Sequence, residues 1–301
     1  MDIQEHFINA CKKGHFNTAK QLYIDHSNVI DIHYNDEEAF RLSCLYGHIE
    51  IAKWLIQLGH EEGRPIDIHA RYESAFCFSC GNGNLEVAKW LIQLTFPKVI
   101  QRGSTGAPPQ YGKDEGYPID IHAQDEYAFR WSCGNGHLEI AKWLIQLGNE
   151  EGQPIDIHAC NEYAFRFSCG NGNLEIVKWL IQLGQDEGNP IDIHAQDDFT
   201  FKWSCENGHL EIAKWLIQLG KDEGYPIDIH AQDERQFRWS CRNGNLEVAK
   251  WLICMGVIPY QDNCELYEYF IQHIKHYKHQ NSQNTEKLNM VWCNCSRVDI
   301  Q

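Results

Sequence analysis

The residues with the most evident capacity for chemistry lie near the C-terminus. His273, His276 and His279 recur at i, i+3 and i+6, which places three imidazoles near one face of a helix. Cys293 and Cys295 follow, with Cys264 upstream. Imidazole and thiolate are zinc ligands, and a set that converges would hold the ion and give this segment a recruiting or enzymatic role. The Cys-x-Cys spacing is not the usual two-residue one, and the stretch between the histidines and cysteines is polar. The competing reading is a capping helix that lays Leu266, Phe270, Ile274 and Tyr277 on whatever precedes it. Elsewhere no phosphate-cradling glycine loop, nucleophile elbow or zinc-protease string appears. No catalytic residue is assigned, and the expectation is a protein that is not an enzyme and needs no cofactor.

A second chemical set is periodic. A basic ladder, Arg41, Arg130, Arg166, Lys202 and Arg238, is interrupted only by Cys77, and acids such as Asp125 and Glu126 stand just before it. One reading is a solvated ladder of ion pairs, each worth roughly 0–1 kcal/mol. The other is a mixed-charge groove that selects a partner, with Tyr127, Tyr163 and Phe199 beside the basic residues as aromatic anchors. Seven of the 13 cysteines also share one periodic position: Cys11, Cys44, Cys80, Cys133, Cys169, Cys205 and Cys241. Equivalent positions in packed helices are about 10 Å apart, beyond the roughly 7 Å that a disulfide spans. They read as small buried apolar residues in a reducing compartment.

These ladders follow from an internal repeat. Ile-Asp-Ile-His begins at Ile30, Ile66, Ile119, Ile155, Ile191 and Ile227, in steps of 36 residues except one of 53. Lys-Trp-Leu-Ile keeps the same rhythm from Lys53 to Lys250, and a degenerate copy upstream brings the total to seven. In the copy from 124 to 154, Asp125 is a candidate N-cap for a short helix from about Glu126 to Cys133. Gly134-Asn135-Gly136 ends it. A second helix runs from about Leu138 to Leu147 and is expected to stop at Gly148. It is apolar almost all round, so it must have neighbours on more than one side, and stacked copies supply them. Trp54, Trp90, Trp143, Trp179, Trp215 and Trp251 read as packing between copies. Trp131, Trp203 and Trp239, with Phe78 and Phe167, read as core.

The string Gly136-His137-Leu138-Glu139-Ile140-Ala141-Lys142-Trp143-Leu144-Ile145, followed by Gly148, resembles the second helix of the ankyrin repeat. Ser132-Cys133 stands where that family has two alanines. The resemblance spans residues 1–256 and implies an all-α ankyrin-repeat solenoid of about seven helix-turn-helix repeats. Residues 257–301 are then the C-terminal capping helix and polar tail. The style of the copies is most similar to ankyrin proteins of giant amoeba-infecting viruses, with slime-mould ankyrin proteins second. Two departures stand out. Tyr127-Ala128-Phe129-Arg130 replaces the family's Thr-Pro-Leu-His, so the hydrogen bonds that tie family repeats together are expected to be lost. The connector after helix two is also longer, which removes the usual hairpin finger. After the helix-ending glycine, His48, Asn84, His137, Asn173, His209 and Asn245 alternate, a trace of block duplication in which no chemistry is read. A segment of 17 residues, 95–111, has no counterpart in other copies and reads as an inserted loop.

The resemblance implies a non-catalytic scaffold that binds a protein partner through the groove of the array. The formal charge of −16 over 301 residues repels nucleic acid and anionic membrane. The N-terminal residues show no secretory pattern and no apolar run is long enough to span a bilayer. The expectation is a monomer in the cytoplasm, the host's if the chain is viral.

Overall fold

The computed structural model describes residues 2–95 and 117–257. The described residues form seven helix pairs and no strand. The first helix of each pair spans Ile3–Lys12 (α1), Tyr34–Leu45 (α3), Ala70–Gly81 (α5), Ala123–Gly134 (α7), Ala159–Gly170 (α9), Ala195–Glu206 (α11) and Ala231–Arg242 (α13). The second spans Phe16–His26 (α2), Ile49–Glu61 (α4), Leu85–Thr95 (α6), Leu138–Glu151 (α8), Leu174–Asp186 (α10), Leu210–Asp222 (α12) and Leu246–Cys254 (α14). The chain divides into two compact units within α9, between Ala164 and Phe165. The capping helix, the Cys/His tail and nearly all of the insertion lie outside the described residues.

The apolar pattern of helix two is spent on packing. In α8, Ile140, Ala141 and Leu144 are buried. Each unit carries one apolar core in which Phe40, Phe76 and Phe129, or Phe165 and Phe201, are wholly inaccessible. The tryptophans of helix two close on the phenylalanine of the preceding helix one. Trp54 meets Phe7 at 6.2 Å, Trp90 meets Phe40 at 6.5 Å, Trp143 meets Phe76 at 6.3 Å and Trp251 meets Phe201 at 6.4 Å. Tilted and edge-on arrangements of this kind suit the ring quadrupoles.

Two boundaries differ from the sequence expectation. Helix α8 does not stop at Gly148 but continues to Glu151 and ends at Gly152, whose φ of 74° is the left-handed cap that glycine adopts without steric cost. Gly148 serves another purpose: a Cβ there would lie 2.7 Å from the carbonyl oxygen of Gln153, where the chain folds back over the helix. Thr95, expected to open the inserted loop, is the last residue of α6 and buried. It takes the place that glycine has at 148, and its Oγ1 accepts from the Ile119 amide at 3.4 Å.

The larger difference precedes helix one. Asp125 is not an N-cap. Gln124, Asp125 and Glu126 have φ of 56°, 54° and 62°, a single left-handed turn built from non-glycine residues. The same turn occurs at Asn35–Glu37, Arg71–Glu73, Cys160–Glu162 and Gln196–Asp198. Left-handed residues cost roughly 1–2 kcal/mol each, so something in each repeat must hold the turn. Its last residue is one such support. Glu126 Oε1 lies 2.8 Å from His122 Nδ1 and accepts from the Asp156 amide of the next repeat at 3.1 Å. Glu37 does the same with His33 and the Asp67 amide at 3.2 Å, and Glu73 with His69 and the Asp120 amide at 3.4 Å. The ties between repeats are therefore relocated rather than lost. A carboxylate now bridges the Ile-Asp-Ile-His strings, and the aspartate of each string caps its own turn by accepting from the histidine amide two residues on, as at Asp156–His158 (3.0 Å).

The His/Asn alternation also has a structural basis. His48 Nε2 lies 3.1 Å from the carbonyl of Lys12, and Asn84 Nδ2 donates to the carbonyl of Leu45 at 2.7 Å. Asn245 Nδ2 reaches the carbonyl of Glu206 at 2.6 Å. Imidazole and carboxamide alike satisfy the orphan carbonyls at the C-terminus of the preceding helix one. Across the insertion the Glu73–Asp120 bond keeps the repeats in register.

Candidate protein-binding face

The structure splits the expected site residues into three groups. The first is buried. Arg41, Arg130, Arg166 and Lys202 retain under a tenth of their surface. Arg41, Arg130 and Lys202 donate to backbone carbonyls of the turn before them. Arg130 donates from Nη2 to the Gln124 carbonyl at 2.8 Å and from Nε to that of Asp125. Arg41 donates to the carbonyls of Asp36 (2.7 Å) and Asn35 (2.9 Å), and Lys202 to that of Asp197. Arg166 donates to Gln196 Oε1 at 2.8 Å. The cations hold the left-handed turns or their neighbours, and both sequence readings, a solvated ion-pair ladder and exposed groove charges, give way to this. Burial also lowers the pKa of Arg41, with Arg71 adding to the effect. Glu126 belongs to this buried group as the inter-repeat tie.

The second group lies on the surface. Asp125 is exposed at the tip of its turn, and Arg238 is exposed where its counterparts are buried. The third group is half-buried: Tyr127, Tyr163 and Phe199 at the first turn of helix one. The Arg130 guanidinium lies 4.7 Å from the Tyr163 ring centroid, and that of Arg166 5.7 Å from Phe199, distances at which a cation is drawn to a ring face. Burial pushes the Tyr127 hydroxyl above its ordinary pKa, so the ring stays neutral.

Sequence reasoning missed the residues one turn further along. Phe78, Trp131, Phe167, Trp203 and Trp239 were expected in the core, yet each is only half-buried. Tyr127 stacks on Trp131 at 5.5 Å and meets Phe78 at 6.1 Å. Phe167 and Trp203 meet edge-on at 4.8 Å, and Phe199 lies 5.4 Å from Trp203. Helix one thus carries two aromatic rows that remain partly accessible in both units. The available signal was positional: these residues sit four after Tyr127, Tyr163 and Phe199, hence on the same helix face.

Burial pushes the thiols of Cys11 and Cys77 up to about 12, and raises those of Cys44, Cys80, Cys133, Cys169 and Cys205. A protonated thiol is neither nucleophile nor metal ligand near neutrality. No group of His, Cys, Asp and Glu among the described residues could hold a metal ion. His273, His276, His279, Cys264, Cys293 and Cys295 lie outside them. No helix among the described residues is long and apolar enough to cross a membrane.

An array of paired helices with a partly accessible aromatic face defines a repeat-protein scaffold. The family model for ankyrin repeats matches residues 7–102, 129–233 and 165–263, and the chain belongs to the ankyrin repeat family. No curated protein matches the sequence.

Proposed function

We propose that the chain binds a protein partner through the helix-one face of its repeats and performs no catalysis. The family is a family of protein-interaction modules. The single observation that carries the reading here is the double aromatic row on helix one, only half-buried in successive repeats. Soluble proteins bury rings of this size, and a row of rings left partly open supplies the large rigid anchors that dominate interfaces. Asp125, Tyr127, Tyr163, Phe199 and Arg238 are the contact residues. Arg41, Arg130, Arg166, Lys202 and Glu126 position them by holding the turns.

The reading extends to a monomeric scaffold in the cytoplasm, the host's if the repeats descend from a giant virus as their style suggests. The strongly acidic charge supports a protein rather than a nucleic-acid partner. Affinity purification of the tagged chain, with the doubly substituted Tyr127→Ala/Tyr163→Ala form alongside, tests it. The main co-purifying protein should be lost from the double variant and kept by Tyr225→Ala, at an exposed connector position. Equal recovery on all three would refute the face.

A further inference from the structure

We infer that the outer row of helix one is a seat for an extended, cationic peptide segment, an inference that rests on the helix-one face being the binding surface. In the second unit an aromatic residue and an exposed asparagine recur four residues apart: Phe167/Asn171, Trp203/Asn207 and Trp239/Asn243. The first unit has Phe78/Asn82 and Trp131/Asn135. That spacing sets ring and amide one above the other on one helix face.

In three of the pairs the asparagine is held by the preceding repeat, whereas Asn82 donates to the Phe78 carbonyl of its own helix at 2.9 Å. Asn207 Nδ2 donates to the Gly170 carbonyl at 2.7 Å, Asn243 to that of Glu206 at 2.9 Å, and Asn135 to that of Gly81 at 2.6 Å. A carboxamide has a second N–H and a carbonyl oxygen beyond that bond, the pair of groups that a peptide backbone unit answers. Gly170 leaves room for the Trp203 ring, to which a Cβ there would come within 2.5 Å, and a Cβ at Gly81 would lie 3.1 Å from Trp131 Cβ; before Trp239 the same position is Glu206.

The spacing selects an extended occupant. Packed helices stand about 8–10 Å apart, and an extended chain advances about 3.3 Å per residue. One repeat therefore matches roughly three residues of peptide. A chain crossing the helices in the polyproline-II form, about 3.1 Å per residue and about three residues per turn, presents the same face at every third residue, offering a side chain to a ring and a backbone amide to an asparagine. A helical ligand could bring one side chain to each ring about every two turns, but its backbone N–H and C=O groups are bonded within the helix and cannot answer the asparagines.

Charge selects the sign. The chain carries −16 overall, and Asp197 is exposed at the tip of its turn. On α9 and α11 the cations that would repel a basic ligand, Arg166 and Lys202, are buried on Gln196 and the Asp197 carbonyl, whereas α13 exposes Arg238 and Arg242. The row already receives a guanidinium where the chain provides one: Arg242 lies 4.9 Å from the Trp239 ring centroid. Arginine or lysine side chains from a partner would occupy the same faces on Trp203 and Phe167.

Fluorescence anisotropy on the full chain tests this with three labelled eighteen-residue peptides: Arg-Ser-Ala repeated six times, its isomer with all arginines grouped at one end, and the repeat with Glu for Arg. The periodic arginine peptide should bind roughly tenfold tighter than its isomer, a difference of about 1.4 kcal/mol, and the glutamate peptide should show no saturable binding. The Trp203→Leu variant should weaken the periodic peptide about fivefold or more while keeping its helical circular dichroism. Should that variant unfold, the two isomers on the unsubstituted chain decide alone. Equal affinity for the isomers, or binding of the glutamate peptide, overturns the inference. A partner lost from the Tyr127→Ala/Tyr163→Ala form while the arginine peptides fail to discriminate refutes the cationic peptide only; a partner retained there refutes the face as well.

Discussion

Replacing Arg130 by methionine separates a residue that builds the fold from one that serves a partner. Methionine keeps an unbranched apolar stem and deletes the guanidinium. The two bonds to the carbonyls of Gln124 and Asp125 then disappear. A charge-assisted hydrogen bond is worth about 1.5–3 kcal/mol net. Gln124 and Asp125 are exposed, so water takes over part of that role. What remains is a left-handed turn at roughly 1–2 kcal/mol per residue that has lost one of its two supports. Together these give a loss of about 2–4 kcal/mol. With a urea slope on the order of 2 kcal/mol per molar, the earliest unfolding transition should fall by roughly 1–2 M. Repeat arrays can unfold in stages, so that transition is the quantity to read, by circular dichroism and tryptophan fluorescence together. The control is Lys142→Met, an exposed cation on α8, where a change within about 0.5 kcal/mol is expected. A loss at Arg130 below about 1 kcal/mol, or equal to that at Lys142, would refute the claim that the buried cations hold the turns.

Further outcomes follow from the same geometry. Burial holds the His137 pKa below its ordinary value, partly offset by its bond to Gly81; the unfolded chain then binds the proton more readily, and stability falls as pH drops through about 6.5. His137→Asn, the residue found at the equivalent Asn84, should leave thermal stability near pH 7.5 almost unchanged and reduce the loss between about pH 7 and 5; an unaltered acid slope would count against it. Glu151 is shifted the other way, its pKa raised by burial and by Asp120 against the opposing effect of His122. Its charge thus costs stability above the folded pKa and nothing below about 4.5, so Glu151→Gln should raise the melting temperature slightly near pH 7 and not near pH 3.5; a lower melting temperature at pH 7 would contradict this. Deleting 95–111 joins Leu94 to Gly112 and restores glycine at the position of Gly148; thermal melting should barely move, because loop length enters closure entropy only logarithmically. A fall of many degrees would show that the insertion supports the array.

The period, the helix pairs and the burial of the cysteines were legible because they depend on composition repeating at fixed steps. Ile140, Leu144 and Phe129 announce a core by apolar spacing alone. What was not legible depended on backbone conformation that no residue type announces. Asp125 reads as an N-cap because aspartate usually is one, and only the left-handed turn makes its carbonyl an acceptor for Arg130. Gly148 reads as a helix end because glycine usually ends helices, whereas its absent Cβ admits a neighbouring carbonyl. Trp131 reads as core because tryptophan usually is, whereas it is half-buried and stacks on Tyr127. The site suffered most, since charge ladders look alike whether the side chains face solvent or their own backbone.

The relocation of the inter-repeat tie bears on how such an array evolves a binding surface. A residue that ties repeats together cannot vary with the partner, because its loss leaves buried polar groups without partners at a cost of roughly 1–3 kcal/mol each. Here that constraint falls on the histidine of the Ile-Asp-Ile-His string and the carboxylate four residues later, with Nδ1–Oε1 distances of 2.8 Å at His33–Glu37, His122–Glu126 and His158–Glu162. Aspartate takes over at His194–Asp198, at 2.6 Å. The first exposed turn of helix one is thereby released. Its positions read Glu38, Ser74, Tyr127, Tyr163, Phe199 and Arg235, and the next row Leu42, Phe78, Trp131, Phe167, Trp203 and Trp239, so the first row varies in charge and size while the second stays apolar. The fixed ladder and the varying one are separated by a single residue, so the scaffold can change which ring faces a partner without touching the carboxylate that joins its repeats.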